Sequence, residues 1–151
     1  MPAPDTAAQE PIAERAIASA RGWIGTPYRH QAALKGVGCD CLGLIRGVWR
    51  ELYGTEAELV PPYAPDWAEA GGIETLAAAG RRHMSEIEPT KALPGDVLLF
   101  RWRQTLPAKH AGLLATSTSF IHAYDGTRVV ESPLGSWWSR RIAYVFRLPE
   151  A

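Results

Sequence analysis

The sequence has few of the features that mark secreted, disulfide-rich or membrane-spanning proteins. Only two of its 151 residues are cysteines, which is too few for a disulfide framework. These two, Cys39 and Cys41, are separated by one residue, and a bond between them would close a small, strained ring. We therefore expect two free thiols in a protein made in a reducing compartment.

Long apolar segments and an excess of charge are also absent. No apolar run approaches the roughly 20 residues that span a bilayer, and the N-terminus lacks the basic start and apolar core of a signal peptide. We therefore expect synthesis in the cytoplasm without a signal peptide. The chain has 16 Lys and Arg and 16 Asp and Glu, so bulk charge does not favour binding to nucleic acid or membranes. We interpret the local basic residues as solvated surface; they are Arg101, Arg103, Arg140 and Arg141.

Length and composition indicate one globular domain over residues 1–151, with residues 1–10 flexible. Hydrophobic residues make up 46% of the chain and charged residues 21%, which is an ordinary balance for a protein with a packed core. No repeat or linker divides the chain into two domains.

The N-terminal half carries helical patterns. Residues 10–24 place apolar side chains at spacings of three and four, which predicts a helix, and a loop follows from residue 28 to 38. Residues 41–53 predict a second helix, with Asp40 as its N-cap and Gly54 as its C-terminal stop. A weaker pattern predicts a third helix over residues 66–80, interrupted by glycines.

From residue 94 the pattern changes to short strands separated by turn residues. The predicted strands are VLLFRW, HAGLLAT, SFIHAY, RVVES and RIAYVFRL, starting at residues 97, 110, 119, 128 and 141. Helices followed by antiparallel strands are typical of the α+β class. We therefore expect N-terminal helices packed on an antiparallel sheet of about five to six strands.

Cys41 is the first candidate for chemistry because it opens the second predicted helix. Unpaired amides and the helix dipole stabilise a thiolate there, which predicts a thiol pKa below the usual value of about 8.5. The same amides can bind an oxyanion. Position alone leaves open that Cys41 is only a small buried residue on the apolar face.

His110 and His122 lie in consecutive predicted strands. In a hairpin they can be cross-strand neighbours, which suits a base and the group that orients it; the alternative is two unrelated histidines. Two cysteines and two histidines also match a zinc site in residue type, but the Cys-x-Cys spacing is outside the common patterns, so no metal site is predicted. His30 and His83 have no such partner in the sequence pattern, and we interpret both as surface residues.

Five short motifs, in this order, resemble those of the NlpC-type cell-wall endopeptidases. They are GTPY at 25–28, DCLGL at 40–44, PGDV at 94–97, HAGL at 110–113 and FIHA at 120–123. The resemblance implies a papain-like core, in which a helix carrying the cysteine packs on an antiparallel sheet carrying the histidine. Leu42 departs from the serine that commonly follows the cysteine in this family, which changes the wall of the site and bears on substrate preference.

The resemblance also implies roles for individual residues. Cys41 would be the nucleophile, His110 the general base and acid, and His122 the polar residue that orients His110. Tyr28 matches a tyrosine that helps to hold the substrate or the oxyanion, and Asp40 matches the residue that precedes the cysteine and caps its helix. The implied reaction is hydrolysis of peptidoglycan stem peptides, between γ-D-glutamate and the diamino acid, with no metal or organic cofactor.

Residues 108–149 resemble phage-encoded members found with tail genes, including those of gene transfer agents. This implies assembly into a tail tip with hub or baseplate proteins as partners, and action at the cell wall when the particle docks. Two alternatives stay open. One is a structural adaptor or plug with a vestigial site, docked through Trp102, Trp137 or Trp138, and the other is an amidase or acyltransferase of the same fold. Cys39 matches no role in the family.

Overall fold

A computed structural model describes residues 10–58 and 74–150, and the structural statements below refer to these residues. The N-terminal nine residues, for which flexibility is predicted, lie outside the described residues, as does the segment 59–73. The helices are α1 (Ile12–Arg21), α2 (Cys41–Tyr53), α3 (Thr75–His83) and α4 (Ser136–Ser139), with a 3₁₀ turn at Pro89–Lys91. The strands are β1 (Ala33–Leu34), β2 (Gly38–Cys39), β3 (Ser85–Ile87), β4 (Val97–Phe100), β5 (His110–Thr116), β6 (Ser119–Ala123), β7 (Val129–Pro133) and β8 (Ile142–Arg147).

Helix α2 has the predicted bounds, because both of its ends are determined locally. Asp40 caps the first turn, and Gly54 adopts a left-handed conformation with φ of 80° and returns its N–H to the carbonyl of Arg50. Gly47 in the middle of the helix permits close packing, since a Cβ there would lie 2.0 Å from an indole carbon of Trp23. The helix is thereby held against the turn that follows α1.

Helix α1 is shorter than predicted at both ends. Its buried face is the predicted one, with Ile12, Ala16 and Ala20 in the core. The N–H of Gly22 is shared between the carbonyls of Ala18 and Ser19, the next two N–H groups bond to carbonyls three residues back, and the chain turns. Trp23 is therefore buried from this turn and not from the helix.

Helix α3 corrects the prediction for residues 66–80. The described part runs from Thr75 to His83, and the predicted residues 66–73 lie outside the described part of the chain. Gly80 does not end the helix. A Cβ at this position would lie 2.6 Å from the ring of Phe146, so glycine serves close packing of α3 on strand β8.

The strands confirm the predicted antiparallel sheet. Within the described residues it has six strands in the order β3-β8-β4-β5-β6-β7. The predicted strands at 97, 119 and 141 each end one or two residues earlier than expected, and the predicted 128–132 strand lies one residue later. The small β1–β2 hairpin, which begins within the predicted loop 28–38 and ends at Cys39, was not predicted, and neither were strand β3 and helix α4. Elements of two to four residues are too short to show a period.

Both faces of the sheet are covered, which places two hydrophobic clusters on it. One face packs against α1 and α2 through residues that include Val97, Leu99, Ala111 and Leu113. The other face carries Leu98, Phe100, Leu114, Phe120 and Val145, with Trp138 of α4 packed over them. The start of β5 therefore lies between α2 on one side and an aromatic layer on the other.

Candidate active site

Asp40 builds the start of α2 and confirms its predicted role as the N-cap. Its side chain is buried, with Oδ1 accepting from the main-chain N–H of Gly43 at 2.7 Å and Oδ2 accepting from that of Gln31 at 2.8 Å. Gln31 has a positive φ of 67°, and the bond to Asp40 stabilises this unusual loop conformation. The carboxylate thereby holds both the loop before Cys41 and the first turn of α2 after it.

Cys41 lies at the first position of α2, facing the start of β5. Its Sγ is 3.6 Å from the carbonyl oxygen of Lys109, the residue before His110, and a main-chain hydrogen bond from Ala111 also reaches the sulphur. The side chain is partly buried and its thiol is free. The geometry therefore brings the sulphur to the stretch of main chain that carries His110.

The protonation of Cys41 differs from the prediction. Burial raises the pKa of its thiol to about 12, and the nearby Asp40 carboxylate acts in the same direction. Main-chain N–H groups, among them that of Leu42 in the first turn, lower the pKa as expected, but they are outweighed. The thiol is therefore neutral in this conformation. The sequence predicts a low pKa because it reveals the helix amides and does not reveal the burial.

His110 and His122 come together as the sequence predicts. Nε2 of His110 is 2.8 Å from Nδ1 of His122. Gly112 provides the room for this, because a Cβ there would lie 2.9 Å from the ring of Phe120 and 3.3 Å from Cβ of His122. The two imidazoles thus form a direct hydrogen bond across neighbouring strands.

Ser132 extends this pair into a chain of three polar side chains. Its Oγ lies 2.9 Å from Nε2 of His122. Sequence reasoning missed Ser132, although the alternation of β7 contains the signal: Val130 lies opposite His122, so residue 132 shares the same face. His122 is therefore itself held in place by a hydroxyl.

Burial keeps both imidazoles neutral. The exposed fraction is 6% for His110 and 0% for His122. Burial lowers the pKa of His110 to about 3, with smaller effects from His122 and Lys109, and burial lowers the pKa of His122 to about 4. At neutral pH the described site therefore contains an uncharged thiol and two uncharged imidazoles, rather than a thiolate–imidazolium pair.

An aromatic layer covers the two histidines. The indole of Trp102 stacks on His110 with ring centroids 5.5 Å apart, and Trp138 lies 5.5 Å from His110 and 5.0 Å from His122. Trp137 packs edge-on against Trp138 and is 51% exposed. Of the three tryptophans considered as docking residues, two are thus part of the wall of the site, and only Trp137 presents half its surface to solvent.

Tyr28 lies beside the cysteine, held by the main chain on both sides. Its N–H donates to the carbonyl of Thr127 at 3.0 Å, and it forms a parallel bridge with Cys39. Burial raises the pKa of Tyr28, and the neighbouring Cys41 contributes to the shift. Its hydroxyl is therefore neutral at physiological pH and available as a hydrogen-bond donor.

The remaining cysteine and histidines lie in three different environments. Cys39 is fully buried in the core, where burial raises its thiol pKa to about 12. His30 is exposed, with Nδ1 3.9 Å from Oδ2 of Asp40. The interpretation of His83 as a surface residue is wrong: it is half-buried and its Nε2 lies 2.8 Å from Glu58. Among the described residues, no three His, Cys, Asp or Glu side chains converge in the manner of a metal site.

Leu42, which departs from the family pattern, lines a cavity that none of Cys41, His110, His122 and Tyr28 lines. Together with Ile45 and Ala111 it lines an apolar cavity of about 330 Å³ between α2, α3 and the sheet. The position after Cys41 is therefore directed to an apolar space.

The chain is similar to known proteins over most of its length. A model of the NlpC/P60 family matches residues 25–147. The chain is 26% identical over 129 residues to a "Probable endopeptidase NlpC" of Escherichia coli (strain K12), covering 81% of this chain and 73% of that protein. It is 27% identical over 132 residues to the "Gamma-DL-glutamyl hydrolase" of Bacillus subtilis (strain 168), covering 87% of this chain but only 28% of that protein.

Solved structures share the fold. The NlpC/p60 domain of the peptidoglycan hydrolase SagA has a TM-score of 0.62 at 20% identity, covering 90% of this chain and 98% of that one. The peptidoglycan hydrolase RipB of Mycobacterium tuberculosis has a TM-score of 0.60 at 21% identity, covering 99% of this chain and 70% of that one. At these identities the likeness establishes the α+β, papain-like architecture.

Among the described residues, no helix is long and apolar enough to cross a membrane.

Proposed function

Because the chain belongs to the NlpC/P60 family, whose members are cysteine peptidases acting on peptidoglycan, we propose that it hydrolyses stem peptides at the γ-D-glutamyl–diamino acid bond. The observation that carries this proposal is the placement of the Cys41 sulphur against the main chain at His110, whose ring is hydrogen-bonded to His122. The B. subtilis relative named as a γ-DL-glutamyl hydrolase supports the choice of bond.

The proton arrangement on the two histidines determines whether His110 can act as a base. When Nε2–H of His122 donates to Ser132 Oγ, Nδ1 of His122 accepts from Nε2–H of His110. Nδ1 of His110 then keeps its lone pair and can take a proton. The reverse arrangement would place a proton on Nδ1 of His110 and block this role. We assign the first arrangement to the reactive state, with Ser132 as the acceptor that maintains it.

The reaction then proceeds through an acyl-enzyme. The thiol proton of Cys41 passes to His110 as the sulphur attacks the scissile carbonyl, and the amides at the start of α2 stabilise the oxyanion, assisted by the hydroxyl of Tyr28. His110 returns the proton to the leaving amine, and water hydrolyses the thioester. Since both groups are neutral at rest, proton transfer accompanies attack rather than preceding it. No step requires a metal or organic cofactor.

Digestion of purified peptidoglycan tests this function directly. We expect the wild type to release peptide fragments whose masses identify the cleaved bond, and Cys41→Ala to release none while keeping the fold. Cys39→Ala is the matched control, because it removes the buried thiol that has no place in the mechanism and should leave digestion intact. Equal digestion by wild type and Cys41→Ala would show that Cys41 is not the nucleophile. Inactivity of the wild type on every wall fraction would favour the structural adaptor, and a thioester with a non-peptide acyl donor would favour an acyltransferase.

We further propose that the protein is a component of a phage-like tail that is made in the cytoplasm and reaches the cell wall when the particle docks. The support is the resemblance of residues 108–149 to tail-encoded members of the family. Tail hub or baseplate proteins would be its partners. Mass spectrometry of purified particles from the strain that encodes the chain tests this proposal, and recovery of the protein only outside such particles would contradict it.

A further inference from the structure

The four arginines interpreted above as solvated surface line a single cavity. The segment after β4 contributes Arg101 and Arg103, and the residues before β8 contribute Arg140 and Arg141. The cavity has a volume of about 290 Å³, and its other lining residues are Trp102 and Gln104. A main-chain hydrogen bond of 2.9 Å, from the N–H of Arg101 to the carbonyl of Arg141, holds the two segments together. The lining contains guanidinium groups, an indole and an amide, and no carboxylate.

Two of these guanidinium groups are oriented by interactions within the fold. Arg101 donates to the carbonyl of Leu106 at 3.3 Å and forms an ion pair with Glu74 at 3.4 Å. Arg141 donates to the carbonyl of Trp137 at 2.8 Å, and its guanidinium lies 3.7 Å from the centroid of the same indole. Their positions are therefore set before any ligand arrives, which lowers the entropic cost of binding one.

The other two arginines are exposed and lack a carboxylate partner among the described residues. Some exposed arginines elsewhere in the described chain are paired, as in Arg21 with Glu131 at 3.1 Å and Arg81 with Glu86 at 2.8 Å, whereas Arg29 and Arg128 are exposed without an ion pair among the described residues. No such ion pair involves Arg103 or Arg140 within residues 10–58 and 74–150. The cavity therefore concentrates uncompensated positive charge in a protein whose overall charge is zero.

The cavity shares a wall with the candidate catalytic histidine. Trp102, which lines the cavity, is the indole that stacks on His110 with an interplanar angle of 26°. Trp137, which contacts Arg141, packs on Trp138, and Trp138 in turn contacts His110. One aromatic side chain, that of Trp102, therefore separates the cavity from the ring of His110.

We propose that Arg103 and Arg140 bind a free carboxylate of the substrate. This inference rests on the proposed function. A stem peptide cut at a γ-linked glutamate carries a free α-carboxylate a few bonds from the scissile carbonyl, and a diamino acid such as diaminopimelate carries a further carboxylate beyond it. Guanidinium groups bind carboxylates through paired, charge-assisted hydrogen bonds. The cavity would therefore select stem peptides in which the recognised carboxylate is free rather than amidated.

Kinetics on matched synthetic stem peptides test this proposal. One peptide has both carboxylates free, the second has the glutamate α-carboxylate amidated, and the third has the diamino acid carboxylate amidated. The proteins are the wild type, the double variant Arg103→Gln/Arg140→Gln, and Lys91→Gln as the control. Lys91 is 73% exposed in the turn before β4, remote from the cavity at the end of that strand, and its substitution also removes a positive charge.

We expect the double variant to raise KM for the fully free peptide by roughly tenfold or more with little change in kcat, because the carboxylate is bound equally in the ground and transition states. On one of the two amidated peptides the wild type should show the same rise in KM. The double substitution should not raise KM for that peptide any further. The group amidated in that peptide is then the carboxylate that the arginines bind. Lys91→Gln should match the wild type.

The possible failures are distinguishable. Equal effects of the double substitution on all three peptides, or no effect on any, would overturn the carboxylate site while leaving the peptidase function in place. Failure of the wild type to cut any of the three peptides would instead overturn the proposed function, and this inference with it.

Discussion

Lowering the pH from 7 to 5 should destabilise the fold through its two buried neutral histidines. An imidazole ordinarily titrates near 6.5, whereas burial lowers the pKa of His110 to about 3 and that of His122 to about 4. Above pH 6.5 the folded and unfolded chains both hold these rings neutral, so their contribution to stability is constant. Below it the unfolded chain takes up protons that the folded chain does not, and the free energy of unfolding falls until the pH approaches the folded values.

The size of this effect follows from the linkage relation. Each of the two histidines lowers the free energy of unfolding by about 1.4 kcal/mol for each pH unit below 6.5. Between pH 7 and pH 5 this amounts to about 2 kcal/mol for each ring and about 4 kcal/mol for the pair. Such a loss is a large share of the 5–15 kcal/mol that is typical of folded domains.

Urea unfolding at a series of pH values, on wild type and His122→Asn, measures the effect. Other titrating groups are common to both proteins, so the difference between their pH slopes isolates His122. The variant should lose about 2 kcal/mol less than the wild type between pH 7 and pH 5. Identical slopes would refute the reasoning, since they would mean that His122 accepts a proton as readily in the folded protein as in the unfolded one.

Three further predictions concern side chains that hold the site together. Ser132→Ala should lower kcat more than it changes KM, because His122 loses the acceptor that maintains its tautomer. Steady-state kinetics will check this, with Ser132→Thr as a control that should restore kcat. Asp40→Ala should reduce stability by about 1–3 kcal/mol in urea unfolding, since it removes two hydrogen bonds to main-chain amides, and an unchanged midpoint would contradict the role of the cap. Gly112→Ala should reduce stability by about 1–3 kcal/mol through overpacking against the ring of Phe120, and near-wild-type stability and activity would show that the ring moves aside.

The sequence was most informative where structure is set locally. The bounds of α2 were predicted correctly because Asp40 and Gly54 at its two ends and the apolar face between them lie within one short segment. The C-terminal end of α3 was not predicted correctly. The helix continues to His83 past Gly80, whose packing on Phe146 is a contact between distant parts of the chain. The β1–β2 hairpin and α4 were too short to show a period.

The same distinction applies to the site. His110 and His122 could be paired from consecutive strands, but Ser132 and the tryptophans depend on strand register and on a four-residue helix. The pKa of Cys41 was predicted in the wrong direction, because the helix amides are visible in sequence and the burial that outweighs them is not. The clustering of Arg103 and Arg140 was likewise hidden, since they are distant in sequence and meet only where the start of β8 returns beside the end of β4.

The partly buried, uncharged Cys41 has a consequence for the chemical durability of the protein. Oxidants and alkylating reagents attack thiolates, so a thiol whose pKa is raised to about 12 reacts slowly with both. On the proposed phage-like tail, the protein would meet oxygen long before it meets its substrate. The same burial that keeps Cys41 protonated at rest would then preserve it in reduced form, and reactivity would appear only when a bound peptide brings the sulphur and His110 into proton transfer.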